Sequence, residues 1–151
     1  MLIIEDTRNK DGKHQKKHDY WNEAGVDWPR SALPFGDYCP APTVAVDTKQ
    51  DIQEVVANMC GAVKEKQRFR RECQKAQTAG CRLIFLIEDK RYEKPEDLIG
   101  KQIYIHNGQT IPGDQAYMAM MMHHERYGCE FRFCAPEDAG RIIVEILEGG
   151  G

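Results

Sequence analysis

Gly36-Asp37-Tyr38-Cys39-Pro40-Ala41-Pro42-Thr43-Val44-Ala45-Val46-Asp47-Thr48-Lys49 sets two carboxylates and an amine about one bend in the chain. The segment reads as two neighbouring antiparallel strands, Ala32 to Tyr38 and Thr43 to Lys49, joined by Cys39-Pro40-Ala41-Pro42, since prolines punctuate turns and valine-rich runs mark strands. On that reading Asp37 lies near the turn, with Asp47 opposite it. Strand side chains alternate between faces, which puts Asp47 and Lys49 on one face. Carboxylate oxygens suit Mg²⁺ or Mn²⁺, and an adjacent ammonium suits an attacking water or the charge that builds on a phosphorus centre under attack. Taken alone the pattern is weak, because Gly-Asp is a common turn dipeptide and Asp-x-Lys recurs by chance. Its weight comes from what surrounds it.

Upstream, the apolar run Leu2-Ile3-Ile4 reads as a short buried strand ending in Glu5-Asp6-Thr7-Arg8. Open α/β sheets carry functional groups at strand ends, so Asp6 joins the acidic cluster and Arg8 becomes a phosphate contact or its counter-ion. A solvated strand end explains the same residues equally well. Downstream, Asp51 caps a helix whose apolar positions Ile52, Val55, Val56 and Met59 follow the i, i+3, i+4, i+7 rule. Gly61 interrupts it. A second helix over Val63 to Thr78 carries Phe69, Cys73 and Ala76 on one stripe and stops at Gly80. Arg82 to Glu88 then has the unbroken apolar centre of a strand covered on both faces. The order is strand, helix, hairpin, helix, strand, which makes a mixed sheet with helices packed around it.

Charge is distributed unevenly. The net charge of −3 over 151 residues argues against indiscriminate nucleic-acid binding. Two local runs are basic: Arg8, Lys10, Lys13, Lys16 and Lys17 oppose Asp11, and Lys64, Lys66, Arg68, Arg70, Arg71 and Lys75 oppose Glu65 and Glu72. Both flank the acidic segment, and such surfaces hold phosphate backbones, although solvated helix faces are the commoner fate of charge runs. His14 and His18 share a helix face. Tyr20, Trp21 and Trp28 stack on bases or, more simply, pack into a core.

The remaining third looks architectural: a strand over Gln102 to His106, a turn at Asn107-Gly108, a Met-rich helix over Gly113 to Tyr127, a strand over Glu130 to Cys134 and a final helix over Pro136 to Leu147. A zinc site at His123, His124, Cys129 and Cys134 fails on geometry, since adjacent helical histidines diverge and the two cysteines point to opposite faces of a strand. With no secretory signal or membrane span, the six cysteines read as reduced thiols of a cytoplasmic protein.

Asp6-Thr7-Arg8, Gly36-Asp37-Tyr38, Val46-Asp47-Thr48-Lys49 and Leu83-Ile84-Phe85-Leu86-Ile87-Glu88 together resemble, in order and spacing, the nuclease domain of the XPF-type structure-specific endonucleases. These belong to the PD-(D/E)xK, or restriction-endonuclease-like, group. The resemblance covers nearly the whole chain. It implies an α/β fold, a restriction-endonuclease-like mixed β-sheet flanked by helices, with residues 1–148 as a single nuclease domain and 149–151 as a short Gly tail. It implies a Mg²⁺- or Mn²⁺-dependent endodeoxyribonuclease in which Asp37 and Asp47 bind the metal, Lys49 is the catalytic lysine, Asp6 assists as catalytic residue and ligand, and Arg8 sits near the scissile phosphate. With it come DNA as partner, contacted through Arg8, Lys10, Lys13, Lys16, Lys17, Lys66, Arg68, Arg70 and Arg71, and a homodimer built from the C-terminal helices.

Two departures stand out. The family usually has Glu-Arg-Lys where this chain has Asp47-Thr48-Lys49, and the family's downstream acid falls at Gln53, with Asp51 and Glu54 nearby. No helix-hairpin-helix module follows, so a preference for branched or flapped DNA is not inherited. Compact nucleases of this kind resemble proteins of phages and prophages, which places the chain in the cytoplasm of a bacterial or phage-infected cell. The alternative is a catalytically weak or inactive DNA-binding or partner-binding module on the same scaffold.

Overall fold

The computed structural model describes residues 3–6, 9, 14–26, 30–31, 37–41, 44–105 and 108–149. One sheet organises the chain. Its six strands are β1 (Ile4–Asp6), β2 (Arg30–Ser31), β3 (Tyr38–Ala41), β4 (Val44–Lys49), β5 (Arg82–Ile87) and, at the far edge, Glu130–Phe133, in the order β2-β1-β3-β4-β5-(130–133). A separate hairpin pairs β6 (Gln102–Tyr104) with β7 (Thr110–Pro112), so the strand at 130–133 is β8. The helices are α1 (Gln15–Glu23), α2 (Ile52–Cys60), α3 (Val63–Thr78), α4 (Gly113–Tyr127) and α5 (Ala139–Glu148).

Strand alternation sorts the core into two layers. Val44 and Val46 of β4 and Ile84 and Leu86 of β5 face α1 and α5, where they meet Trp21, Ile143, Ile146 and Leu147. Ala45 of β4 and Leu83, Phe85 and Ile87 of β5 face the other way, against Val55, Val56, Phe69, Cys73 and Met120 of α2, α3 and α4. Both faces of β5 are thus covered, which is why its sequence is apolar at every central position. Trp21 is fully buried and donates Nε1–H to the Gly140 carbonyl at 3.0 Å, so core packing accounts for this ring. Close approach of α1 and α5 favours glycine at 140, where a Cβ would lie 3.1 Å from the Lys17 Cα and α1 would have to give by a few tenths of an ångström.

The predicted helices over 52–60 and 63–78 are present, with Asp51 accepting the Glu54 amide as N-cap at 2.9 Å and Gly80 in the left-handed region. The expected final helix starts later, at Ala139, because Pro136–Asp138 forms a 3₁₀ turn first. Gly149 closes α5, and 150–151 lie outside the described residues.

The central hairpin differs from the sequence expectation. Cys39-Pro40-Ala41 belongs to β3, Ala41 pairs with Val44, and the connection shrinks to residues 42–43, which lie outside the described residues, as do 32–36 of the expected first strand. Pro40 lacks an amide to donate, and it is accommodated where the β3–β4 register shifts between Tyr38 and Ala41. Asp37 therefore stands at the open end of the hairpin, not near its turn.

Candidate active site

Strand direction gathers the charged residues. β4, β5 and β8 are parallel, and β1 and β4 each run antiparallel to β3, so β1 shares the direction of β4. The carboxyl ends of these strands therefore meet at one edge of the sheet. Asp6 ends β1, Lys49 ends β4 and Glu88 follows β5; Asp37 precedes β3, which starts at the same edge because it runs the other way. A cleft of about 1080 Å³ lies there, with Asp6, Asp37, Asp47 and Lys49 in its lining. This is the place where open α/β sheets bind ligands.

Asp37 is fixed by its neighbours on both sides. Its carbonyl accepts the Asp6 amide at 2.6 Å and its own amide bonds the Val46 carbonyl at 2.8 Å. Its Oδ2 accepts two bonds from Thr48, the amide at 2.8 Å and the hydroxyl Oγ1 at 2.9 Å. Thr48 thus does something definite at the position where an arginine was expected: it orients the Asp37 carboxylate. Burial, then the Asp47 charge, push Asp37 well above the usual carboxylate range despite those two bonds.

Asp47 is buried on the α3 side of β4, in register with Phe85. Burial first, opposed by the Lys49 charge and reinforced by Glu72, also raises its pKa well above the usual value. Lys49 Nζ lies 3.7 Å from Asp47 Oδ1, and 5.6 and 5.7 Å from the centroids of Phe85 and Phe69. Burial alone would lower the Lys49 pKa, but Asp47, Glu72, Glu54 and Asp37 together raise it, so the ammonium is held charged.

Glu72 is the residue that sequence reasoning missed. It reaches the cleft from α3 and lies within hydrogen-bonding reach of the Asp47 carboxyl. In the sequence it was one of two acids diluting a basic run. Its spacing of i+3 from Phe69, which stacks on Phe85 at 4.6 Å, could have placed it above Asp47.

The opposite wall comes from α1. Lys17 is buried and pairs with Glu88 at 2.7 Å, with its Nζ also 3.1 Å from His14 Nδ1. A lysine so engaged is part of the wall, in contrast with the free phosphate contact expected of it. His18 Nε2 meets Glu5 Oε2 at 2.6 Å, which accounts for that histidine structurally. Lys16, Arg68, Arg71 and Lys75 line the cleft, and all four are exposed. Lys66 and Arg70 are exposed on α3 but off the cleft, near Cys60 and His123 respectively. Arg8, Lys10 and Lys13 lie outside the described residues. His123 and His124 direct Nδ1 to the Ala119 and Cys129 carbonyls, at 2.7 and 2.8 Å.

Among solved structures, the chain is similar to XPF from Aeropyrum pernix, with a TM-score of 0.68 and 15% identity over 98% of this chain and 64% of that one. The fold is XPF-like. XPF from Aeropyrum pernix in complex with DNA gives a TM-score of 0.68 at 15% identity, over 97% of this chain and 63% of that one. The chain thus spans less than two thirds of the XPF chain it matches. No family model matches the sequence, and no curated protein does.

Among the described residues no three His, Cys, Asp or Glu side chains already stand as a ligand set. The donor chemistry nevertheless suits a divalent cation: Asp37 and Asp47 are hard-oxygen donors lining one cleft, with the Lys49 ammonium 3.7 Å from Asp47 Oδ1.

Proposed function

We propose that the chain is a Mg²⁺- or Mn²⁺-dependent DNA endonuclease that hydrolyses phosphodiester bonds, with branched or flapped DNA among its substrates and residues 1–148 as one nuclease domain. The observation that carries this is the convergence of Asp37, just before β3, with Asp47 and Lys49 of β4 in one cleft of an XPF-like fold. When bound, the cation polarises the scissile phosphate and acidifies a water for in-line attack. Asp37 and Asp47 would hold it, with Asp6 also lining the cleft, and Thr48 keeps Asp37 aimed. Lys49, charged and 3.7 Å from Asp47, positions the water or meets the charge that develops on the phosphate. The pairing of Lys49 with Asp47 favours this reading over an inactive module, in which the lysine would bond elsewhere.

The deciding experiment incubates labelled duplex, single-stranded, flap, fork and four-way-junction DNA with the protein under Mg²⁺ and Mn²⁺. Cleavage of at least one substrate that stops with EDTA is expected; no cleavage of any of them sinks the assignment.

Arg68, Arg71, Lys75 and Lys16 supply the positive surface for the DNA backbone. Each phosphate contact contributes about 0.9 to the slope of log affinity against log salt for duplex DNA. Joint replacement of Arg68 and Arg71 by alanine should therefore reduce that slope by about 2, measured by fluorescence anisotropy in Ca²⁺. An unchanged slope would remove α3 from the interface.

We also propose a homodimer through the C-terminal helices. α5 commits Ile143, Ile146 and Leu147 to the core, whereas α4 leaves Met118 and Met122 exposed. Light scattering should give a dimer for the native chain and a monomer for the Met118→Glu/Met122→Glu variant. A native monomer at micromolar concentration contradicts it.

A further inference from the structure

Lys49 owes its place to the end of β4. Its carbonyl accepts the Glu88 amide at 2.8 Å, one residue beyond its register partner Ile87, and the chain then leaves the sheet for the Asp51 cap of α2. The backbone that carries the amine is therefore held, at the cleft, by the residue that follows β5. Strand alternation separates the two side chains. Lys49 projects toward Phe69 of α3, whereas Glu88 continues the face of Ile84 and Leu86, toward α1.

On that face Lys17 meets Glu88. Its Nζ lies 2.7 Å from Glu88 Oε2 and 3.1 Å from His14 Nδ1, and the lysine is 3% exposed. An ammonium has three hydrogens and no acceptor, so it donates to both partners, and His14 carries its own hydrogen on Nε2. All three side chains line the cleft that holds Asp37, Asp47 and Lys49. Burying two opposite charges costs much desolvation, and apolar side chains of similar volume often stabilise a fold as well or better. Trp21 and the close approach at Gly140 already seat α1 on α5. What the pair adds is a fixed place for Glu88, the residue that holds Lys49. We propose that the buried Lys17–Glu88 pair is a positioning device for the reaction: it fixes the Glu88 backbone and, through the Glu88 amide, the end of β4 that presents Lys49. The inference rests on the nuclease reading above for the role of Lys49, while the anchoring stands apart from it.

Removing one partner would strand the other charge, so the test replaces both. Lys17→Met/Glu88→Gln keeps the volumes and should retain the native circular dichroism spectrum and melting midpoint. In hydrogen exchange followed by NMR, the amide at position 88 should lose at least about tenfold of its protection, while Leu86, inside β5, keeps the native value. In DNA cleavage kcat should fall about 10–100-fold, the upper figure being the cost of a displacement of about 1 Å, with KM within about twofold of native. Glu88→Gln alone still offers Lys17 an acceptor and disturbs the packing least; it should move both readouts in the same direction, and decides the matter where the double variant melts early. Native protection at position 88 overturns the proposal, as does equal loss at Leu86, which marks general destabilisation. Lost protection with native kcat, or a raised KM alone, also overturns it, since Lys49 then does not depend on the pair. If the native protein cleaves no DNA, the nuclease reading falls and the catalytic half of the proposal with it, whereas exchange at position 88 still decides the anchoring.

Discussion

Asp47→Asn is expected to abolish metal-dependent cleavage, by more than the roughly 100-fold that loss of a supporting residue causes, and to leave the metal-free protein at least as stable as the native one. The two halves have one cause. Asp47 is buried, with Glu72 adding negative charge beside it, so its folded pKa stands well above the ordinary carboxylate value. Such a group is favourable to folding below its unfolded pKa, and that contribution is lost as pH rises through the raised folded value. Asp37 is shifted the same way. Metal-free native protein should therefore lose stability from about pH 4 upward, across the window in which these carboxyls ionise in the folded state. Asparagine removes the part of that cost belonging to Asp47. Lys49 still has Glu72, Glu54 and Asp37 near it, so the ammonium is not stranded. Calorimetric unfolding in EDTA from pH 4 to 8, run beside a cleavage assay, checks both halves. Retained cleavage, or a markedly lower midpoint for the variant at pH 7, would contradict the assigned role.

The second large effect belongs to Phe85. This ring is fully buried at the centre of β5, stacked at 4.6 Å on Phe69 and 5.2 Å on Phe131, with Lys49 Nζ 5.6 Å from its centroid. Phe85→Ala leaves a cavity between sheet and helix, at a cost of about 3–5 kcal/mol. Against the roughly 5–15 kcal/mol of a typical domain that is a large fraction. The melting midpoint should fall by roughly 6–20 °C, at about 2–4 °C per kcal/mol for a chain of this size. Phe85→Leu fills more of the space but removes the aromatic face under the ammonium, worth about 0.5–2 kcal/mol. That variant should retain more stability than the alanine and still show reduced cleavage, because Lys49 loses one wall of its seat. A midpoint within about 2 °C of native for Phe85→Ala would show that α3 does not depend on this stack.

Elements whose signal is local were legible in the sequence. Asp51 with Ile52, Val55, Val56 and Met59 predicted α2, and the covered strand at 82–87 was visible in its unbroken apolar run, since capping and periodicity act within one segment. The hairpin was harder. Pro40 and Pro42 drew the turn onto Cys39-Pro40-Ala41-Pro42, but pairing of Ala41 with Val44 moves it toward 42–43, because a register irregularity accommodates a proline inside a strand. Lys17 looked like surface charge, and only its pairing with Glu88, 71 residues away, shows it to be buried.

By itself, the sequence determined the α/β class, the bounds of α2, α3 and α4, and the set of Asp37, Asp47 and Lys49 as the groups to watch. Each rests on spacing along one stretch of chain. Tertiary structure decided where those groups meet: strand direction brings Asp37 to the carboxyl edge of β4, Thr48 aims it, and the packing of α3 on Phe85 carries Glu72 to Asp47. Those contacts join residues 11 to 25 positions apart and depend on how a helix seats on a sheet, which no local pattern encodes.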